Sequence, residues 1–377
     1  MLRSAATAIA LLSLSACGSG DKGSPSEAAS DTAASSDALL SKDPAPGQKG
    51  EAEDMARPMM QAQVVLERMG FAPGVIDGKE GLSTRNAVEG FQSANDLPVT
   101  GKFDEPTMQA LAKWSNIPAT RVVTIPDDFA RGPFAALPKD PAAQAKLPSL
   151  GYASLEEKLA ERFHTTGDVL RALNPQLAQP APNPSAASEQ PEAKLPPVAY
   201  AAGQNIRVPN VGADAFDRSA VKDAAWADTL FSLGVGTTQP KADKIVVSKK
   251  GGTLKVYDAA DKLVALFTVT TGSSKDPLPL GNWKINGTSY NPQFSYDASL
   301  FWDVPDSKGE HLLPPGPNGP VGVVWIDLSK EHYGIHGTPE PQTIGRAESH
   351  GCVRLTNWDA ARLAEMVSGS TKVSFVS

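Results

Sequence analysis

The chain has 377 residues, enough for two or three domains with hydrophobic cores of their own. Lys and Arg number 35 against 42 Asp and Glu, a formal charge of -7, with no long basic run. That balance excludes nucleic acid as the main partner, because neutralising a phosphate backbone needs a clustered basic surface.

The N-terminus reads MLRSAATAIALLSLSACGSG. Arg3 supplies a short positive region, and Ala5 to Leu14 is apolar apart from Thr7 and Ser13. The run is too short to span a bilayer and has the shape of an export signal. Leu14-Ser15-Ala16-Cys17 resembles the lipobox of bacterial lipoproteins. The resemblance implies that residues 1–17 are a signal with its lipobox, that Cys17 is lipidated, and that the protein is exported to the cell envelope or periplasm on a membrane anchor. An ordinary signal cleaved nearby is the alternative. If Cys17 carries lipid, Cys352 is left as a lone thiol in an oxidising compartment, either reactive or buried and inert. Residues 18–53 are rich in Ser, Ala, Gly, Asp and Lys and read as a flexible tether.

Residues 54–116 predict three short helices. Met60, Val64 and Met69 mark the first. Ser83 or Thr84 can cap the second, with Ala87, Val88 and Phe91 on one face, and Asp104 can cap a third that ends near Trp114. Asp77-Gly78 and Thr100-Gly101 are turn signals. Gly70-Phe71, Gly74 to Gly78, Gly81, Thr84-Arg85, Ala87-Val88, Phe91-Gln92, Leu97 and Gly101 together resemble the small three-helix peptidoglycan-binding domain found beside cell-wall enzymes. That likeness implies binding; spacing alone gives only a mini-bundle.

Residues 117–149 read as a Pro-rich linker. In 150–211, Ser154 caps a helix carrying Leu155, Leu159 and Phe163, and Val169, Leu170 and Leu173 mark another before Asn174-Pro175. After a Pro/Ala-rich insert, Ala178 to Pro197, the chain resumes as GQNIRVPNV. The segment is similar to a lysin-motif module, a second class of glycan binder, though it lacks that family's early Gly-Asp-Ser/Thr. A structural spacer is the alternative. Residues 212–242 read as another linker.

From residue 243 to 377 the texture turns to strands: KIVVS, TLKVY and LVALFTVTTG, then WKINGTSYNP and VGVVWIDL. One amphipathic helix, NWDAARLAEMVSGS, precedes a closing KVSFV strand. The expectation is a multidomain α+β protein whose C-terminal domain is mostly β, a small sandwich or barrel-like sheet with one helix.

Ile335 to Asn357, IHGTPEPQTIGRAESHGCVRLTN, holds His336, His350 and Cys352. An imidazole, backbone donors and the positive charge of Arg354 are the ingredients that lower a thiol's pKa and make it a nucleophile. Gly351 lets the backbone approach a substrate, so amides around Gly351 and Cys352 can form an oxyanion hole. A zinc site of His336, His350 and Cys352 lacks a fourth ligand; a structural thiol beside two surface histidines is the other alternative. His164, His311 and His332 read as surface residues, and Trp325 and Tyr333 as strand and core, with an aromatic wall of the cleft as the alternative.

Ile335-His336-Gly337-Thr338, Ile344-Gly345 and Ser349-His350-Gly351-Cys352-Val353-Arg354-Leu355 with Asn357 resemble the signature of the L,D-transpeptidases of the YkuD type. Where that family often shows Asn-Pro-apolar-Gly, this chain has Gly319-Pro320-Val321-Gly322. The resemblance implies Cys352 as nucleophile, His336 as base oriented by the Gly337 carbonyl, His350 and Gly351 shaping the oxyanion region, and Arg354, Ser349 and Asn357 on the substrate. It also implies peptidoglycan stem peptides and glycan strands as partners, and neither cofactor nor metal. Cross-linking, L,D-carboxypeptidase action and protein anchoring share its first half-reaction. A non-catalytic wall-binding lipoprotein is the reading from another class.

Overall fold

The computed structural model describes residues 56–178, 198–212, 216–300, 304–347, 349 and 351–377. The signal, Cys17, the whole tether, most of the Pro/Ala-rich insert and His350 lie outside the described residues. Among the described residues no helix is long and apolar enough to cross a membrane.

Three helices open the described chain: α1 (Pro58–Arg68), α2 (Leu82–Ala94) and α3 (Glu105–Leu111). α1 buries Met60, Val64, Val65 and Leu66, the face its apolar spacing predicts. Asp104 caps α3, its carboxylate accepting from the Thr107 amide, whereas α2 starts after Gly81 with no side-chain cap. Thr84 is instead buried within α2, its hydroxyl accepting from Gln63 Nε2 at 3.1 Å. Two buried glutamines hold the two turns. Gln63 accepts from the Gly78 amide at 2.7 Å, and Gln92 accepts from the Thr100 and Gly101 amides at 2.8 and 2.9 Å. A single amide side chain thus satisfies turn donors that a small domain cannot leave buried and unpaired.

The expected linkers are structured. Residues 117–149 contain β1 (Thr120–Thr124) and α4 (Pro141–Gln144). α5 (Leu155–Arg162) and α6 (Gly167–Leu173) follow, capped by Ser154 and Thr166, and then β2 (Asn205–Pro209), which pairs antiparallel with β1. Residues 212–242 contain α7 (Ala224–Leu233), capped by Asp223 and stopped by Gly234 in the left-handed region. Its Trp226, Leu230 and Leu233 are buried, each contributing about 2–3 kcal/mol of apolar transfer. The helix is part of the core.

The C-terminal domain is built on one open eight-stranded sheet, a half-barrel rather than a sandwich, as the barrel-like alternative expected. Its strands are β3 (Lys244–Ser248), β4 (Thr253–Tyr257), β5 (Leu263–Thr268), β6 (Gly281–Tyr290), β9 (Val324–Leu328), β10 (Gly334–His336), β11 (Val353–Arg354) and β12 (Lys372–Val376). They lie in the order β11-β10-β9-β6-β12-β3-β4-β5. Between β6 and β9 the chain makes a separate hairpin of β7 (Phe294–Asp297) and β8 (Glu310–Leu313). α8 (Asn357–Met366) packs its buried Trp358, Ala361 and Leu363 into the same core as α7 and the sheet.

The three parts share interiors. Phe71 sits beside the sheet edge at β5, the Leu266 amide donating to the Gly70 carbonyl and the Ala72 amide to the Leu266 carbonyl, at 3.0 and 2.9 Å. An edge strand that would otherwise invite intermolecular pairing is thereby covered. Asn86 on α2 donates to Thr268 at 3.0 Å. Deeper in, His164 is buried, where its sequence position suggested surface. Its Nδ1 lies 3.0 Å from Glu67 Oε1 on α1, its Nε2 lies 2.8 Å from the Leu233 carbonyl on α7, and its ring stacks on Trp358 of α8 at 4.9 Å. Arg362 of α8 donates to the Glu67 carbonyl at 2.9 Å. The helical domain, the middle module and the sheet domain meet on this one histidine.

Candidate active site

The sheet aligns the site by strand periodicity. β11 runs parallel to β10 with His336 opposite Arg354 and Ile335 opposite Val353. Side chains alternate along a strand. Ile335 and Val353 therefore point into the core, both fully buried, while His336 and Arg354 share the other face. Cys352, two residues before Arg354, takes that face too. β9 pairs antiparallel with β10 and sets Trp325 opposite His336; β6 sets Ser289 opposite Trp325. Ser289, Trp325, His336, Arg354 and Cys352 all border one cavity of about 500 Å³. Its far wall is Pro292 to Ser295 and Leu300 around the β7 end of the hairpin, with Pro320 and Val321 of the loop before β9.

The nucleophile candidate sits where its backbone is least ordinary. Gly351 has φ +102°, and a Cβ there would meet the Tyr333 ring at 2.7 Å. Only glycine brings the chain this close beneath the aromatic ring. Cys352 is partly exposed, unbonded to any other cysteine, and its Sγ is 3.8 Å from the His332 carbonyl. The buried Ser349 hydroxyl donates to the Cys352 carbonyl at 2.7 Å, and the Ser273 amide donates to the Ser349 carbonyl at 3.1 Å.

His336 is buried, stacked on Trp325 at 5.6 Å, and its Nδ1 lies 2.7 Å from the Gly337 carbonyl. A carbonyl only accepts, so Nδ1 carries the proton and Nε2 keeps its lone pair. Burial, and then the charge of Arg354, push the imidazole down to about 4, against the Gly337 hydrogen bond. Burial also pushes the Cys352 thiol up, opposed by a backbone hydrogen bond at Gly334 and by Arg354. The sequence ingredients suggested a stabilised thiolate. The resting site instead holds a neutral thiol and a neutral imidazole, because removal from water penalises both charges. An imidazole lowered this far is unprotonated at neutral pH.

Two expected substrate contacts belong elsewhere. Ser349 is buried and holds the cysteine loop from within. Asn357 is fully buried at the start of α8 and does not border the cavity; its Nδ2 donates to Glu161 Oε1 at 2.7 Å and to the Pro317 carbonyl at 2.9 Å. Conversely, Trp325 and Tyr333 line the cleft, and so does His332. The period-2 pairing of Trp325 with His336 is the signal that could have placed the tryptophan there; nothing local marked Tyr333. His311 lies on β8, where its Nε2 donates to the Lys308 carbonyl at 2.8 Å and its ring stacks on Tyr296. Among the described residues no three His, Cys, Asp or Glu side chains are grouped to hold a metal ion.

Residues 242–374 match the YkuD family, described as the L,D-transpeptidase catalytic domain. The chain carries an L,D-transpeptidase catalytic domain. Residues 57–111 match a peptidoglycan binding domain, so a wall-binding domain precedes the L,D-transpeptidase domain. An L,D-transpeptidase YkuD of Bacillus licheniformis is 37% identical over 131 residues, covering 35% of this chain and 64% of that protein. An L,D-transpeptidase YbiS of Escherichia coli K12 is 31% identical over 137 residues, 35% of this chain and 44% of that one. The chain thus spans under two thirds of either relative. A solved L,D-transpeptidase from Mycobacterium smegmatis is 22% identical over 36% of this chain and 58% of its own, with a TM-score of 0.29, too low to carry any argument.

Proposed function

We propose that the protein cross-links peptidoglycan by acyl transfer through Cys352. The observation that carries this reading is the meeting of Cys352, His336 and Arg354 on one face in one cavity. Nε2 of His336 takes the thiol proton as sulfur attacks the carbonyl that precedes the terminal D-alanine of a tetrapeptide stem. The Gly351 and Cys352 amides, with the His350 region, receive the oxyanion. The imidazolium returns its proton to the departing D-alanine amine, leaving a thioester. An amine of a second stem attacks that thioester, passes a proton through His336 to the departing thiolate, and forms a 3→3 link. Arg354 holds a substrate carboxylate at the cavity wall. Aromatic faces of Trp325 and Tyr333 exclude water, which favours an amine over hydrolysis.

The same thioester resolved by water makes an L,D-carboxypeptidase, and resolved by a protein amine makes an anchoring enzyme. In this reading Cys17 carries lipid at the cell envelope and the 57–111 domain holds the wall. The β1-α5-α6-β2 arrangement supports a lysin-motif-like glycan binder in the middle.

The test incubates soluble protein, begun after Cys17, with defined disaccharide-tetrapeptide and reads products by mass spectrometry, with Cys352→Ala as control. A dimer lighter by one D-alanine, absent from the control, is the expected result. Tripeptide alone shifts the assignment to carboxypeptidase. No product and no acyl-enzyme leaves a wall-binding tether.

A further inference from the structure

We propose that Glu161, on α5 outside the catalytic domain, is a positioning residue for His336 and acts through Asn357. The inference rests on the reading of His336 as the base for Cys352.

The chain of contacts is short. Glu161 is buried, with Oε2 accepting from the Tyr152 hydroxyl at 2.6 Å and Oε1 accepting from Asn357 Nδ2 at 2.7 Å. Asn357 Nδ2 also faces the Pro317 carbonyl, which can only accept, so the orientation of the amide is fixed. The opposite end, Oδ1, is wedged against two backbone turns. A Cβ at Gly337 would lie 2.2 Å from it, and one at Gly322 would lie 1.9 Å from it. Gly337 supplies the carbonyl that holds His336 Nδ1. Gly322 ends the loop whose Pro320 and Val321 wall the cavity. One side chain therefore sets the distance between the base and that wall, and Glu161 anchors it from another module.

The same module grips that loop directly. The Leu150 amide donates to the Pro315 carbonyl at 2.9 Å, and the Asn318 amide donates to the Leu150 carbonyl at 3.0 Å. Asn318 Nδ2 donates to the Gly151 carbonyl at 3.0 Å and to Glu157 Oε1 at 2.7 Å. Residues 150–161 are thus an outer wall of the active site, whatever else the module binds. Burial raises Glu161 to about 7, so its charge changes within the working range of an envelope enzyme.

Steady-state kinetics on disaccharide-tetrapeptide, and the rate of Cys352 alkylation by iodoacetamide between pH 5 and 10, test the idea in four variants. Glu161→Leu removes the anchor and should lower kcat by about 10²-fold with KM little changed, as a misplaced catalytic group does. Glu161→Gln keeps Asn357 Nδ2 donating to its Oε1, while its Nε2 donates to the Tyr152 hydroxyl in place of the present reverse bond; it should restore kcat to within about fivefold and remove a titration near pH 7 from the profile. A Glu161→Leu enzyme with parental kcat and alkylation profile, lower only in melting temperature, overturns the proposal. If that variant does not fold, Tyr152→Phe decides. It frees Oε2 alone, and should lower kcat in the same direction by a smaller factor; an unchanged kcat and profile overturns the proposal equally. His336→Ala separates the two levels. Normal turnover in that variant removes the underlying assignment, whereas a dead His336→Ala beside a normal Glu161→Leu and Tyr152→Phe removes only the coupling.

Discussion

Among the described residues, two buried histidines, His336 and His164, have opposite surroundings. At the cleft, His336 has one nitrogen on a carbonyl, and Arg354 lies near enough to oppose any charge on its ring. At the joint between domains, His164 has both nitrogens against acceptors, a carboxylate and a carbonyl, and its face on an indole. Both ring nitrogens of His164 are engaged, one with Glu67 and one with the Leu233 carbonyl, while its face stacks on Trp358. The first environment leaves a lone pair available for chemistry; the second uses every hydrogen-bonding site for cohesion. Burial alone therefore does not mark a catalytic histidine. The number of acceptors around the ring does.

The largest expected effect separates the two roles. His336→Ala should cut formation of a Cys352 acyl-enzyme by about 10²- to 10⁴-fold, read by intact-protein mass, with the melting temperature close to parental. His164→Ala should do the reverse. It leaves Glu67 buried with its imidazole removed and should cost on the order of 3 kcal/mol in urea unfolding, while the folded fraction keeps its acylation rate. If His164→Ala instead kills acylation without loss of stability, the division between joint and cleft is wrong.

A pH series sharpens the same contrast. Glu161 is raised from the ordinary 4.5 to about 7 by burial. Between those values the folded chain holds a proton that the unfolded chain has lost, so stability falls as pH rises, by on the order of 3 kcal/mol in all. His336, lowered from 6.5 to about 4, gives the opposite slope. There the unfolded chain binds the extra proton, and stability is lost as pH falls through that window. The two partly cancel between about pH 4.5 and 6.5. Unfolding midpoints of Glu161→Gln, set against the parent across pH 4–8, should lose the falling contribution between about pH 4.5 and 7. A parental curve in that variant would place the buried charge elsewhere.

The smallest effect concerns the outer contact. Asn86→Ala removes one buried hydrogen bond between α2 and β5 and strands the Thr268 hydroxyl. A loss of about 1–2 kcal/mol is expected, with kcat unchanged. A large fall in kcat would mean that the wall-binding domain, like residues 150–161, takes part in shaping the cleft.

Much of the site was legible because its parts lie in one short segment. Ser349 to Arg354 carries nucleophile, loop glycine and charge within six residues, and the alternation of a strand is enough to put Cys352 and Arg354 on one face. His336 was readable for the same reason, on the neighbouring strand. Trp325 and Tyr333 were not, since aromatic residues in a β segment serve core and cleft equally until the register of β9 against β10 is known. Asn357 was assigned to substrate because it follows the motif; one helical turn buries it instead.

The sequence by itself determined the parts: Cys352 with two histidines in the same segment, the glycine between His350 and Cys352, and the helical domain before the strands. It determined these because local spacing fixes both secondary structure and the relative placement of groups a few residues apart. Only the tertiary structure decided what the intervening residues are for. Trp226 and β1 fall in stretches rich in Pro, Ala and Gly that read as linkers, and His164 reads as a surface residue. Each owes its role to partners from about 70 to 140 residues away, through pairing, packing and hydrogen bonds that no local pattern encodes.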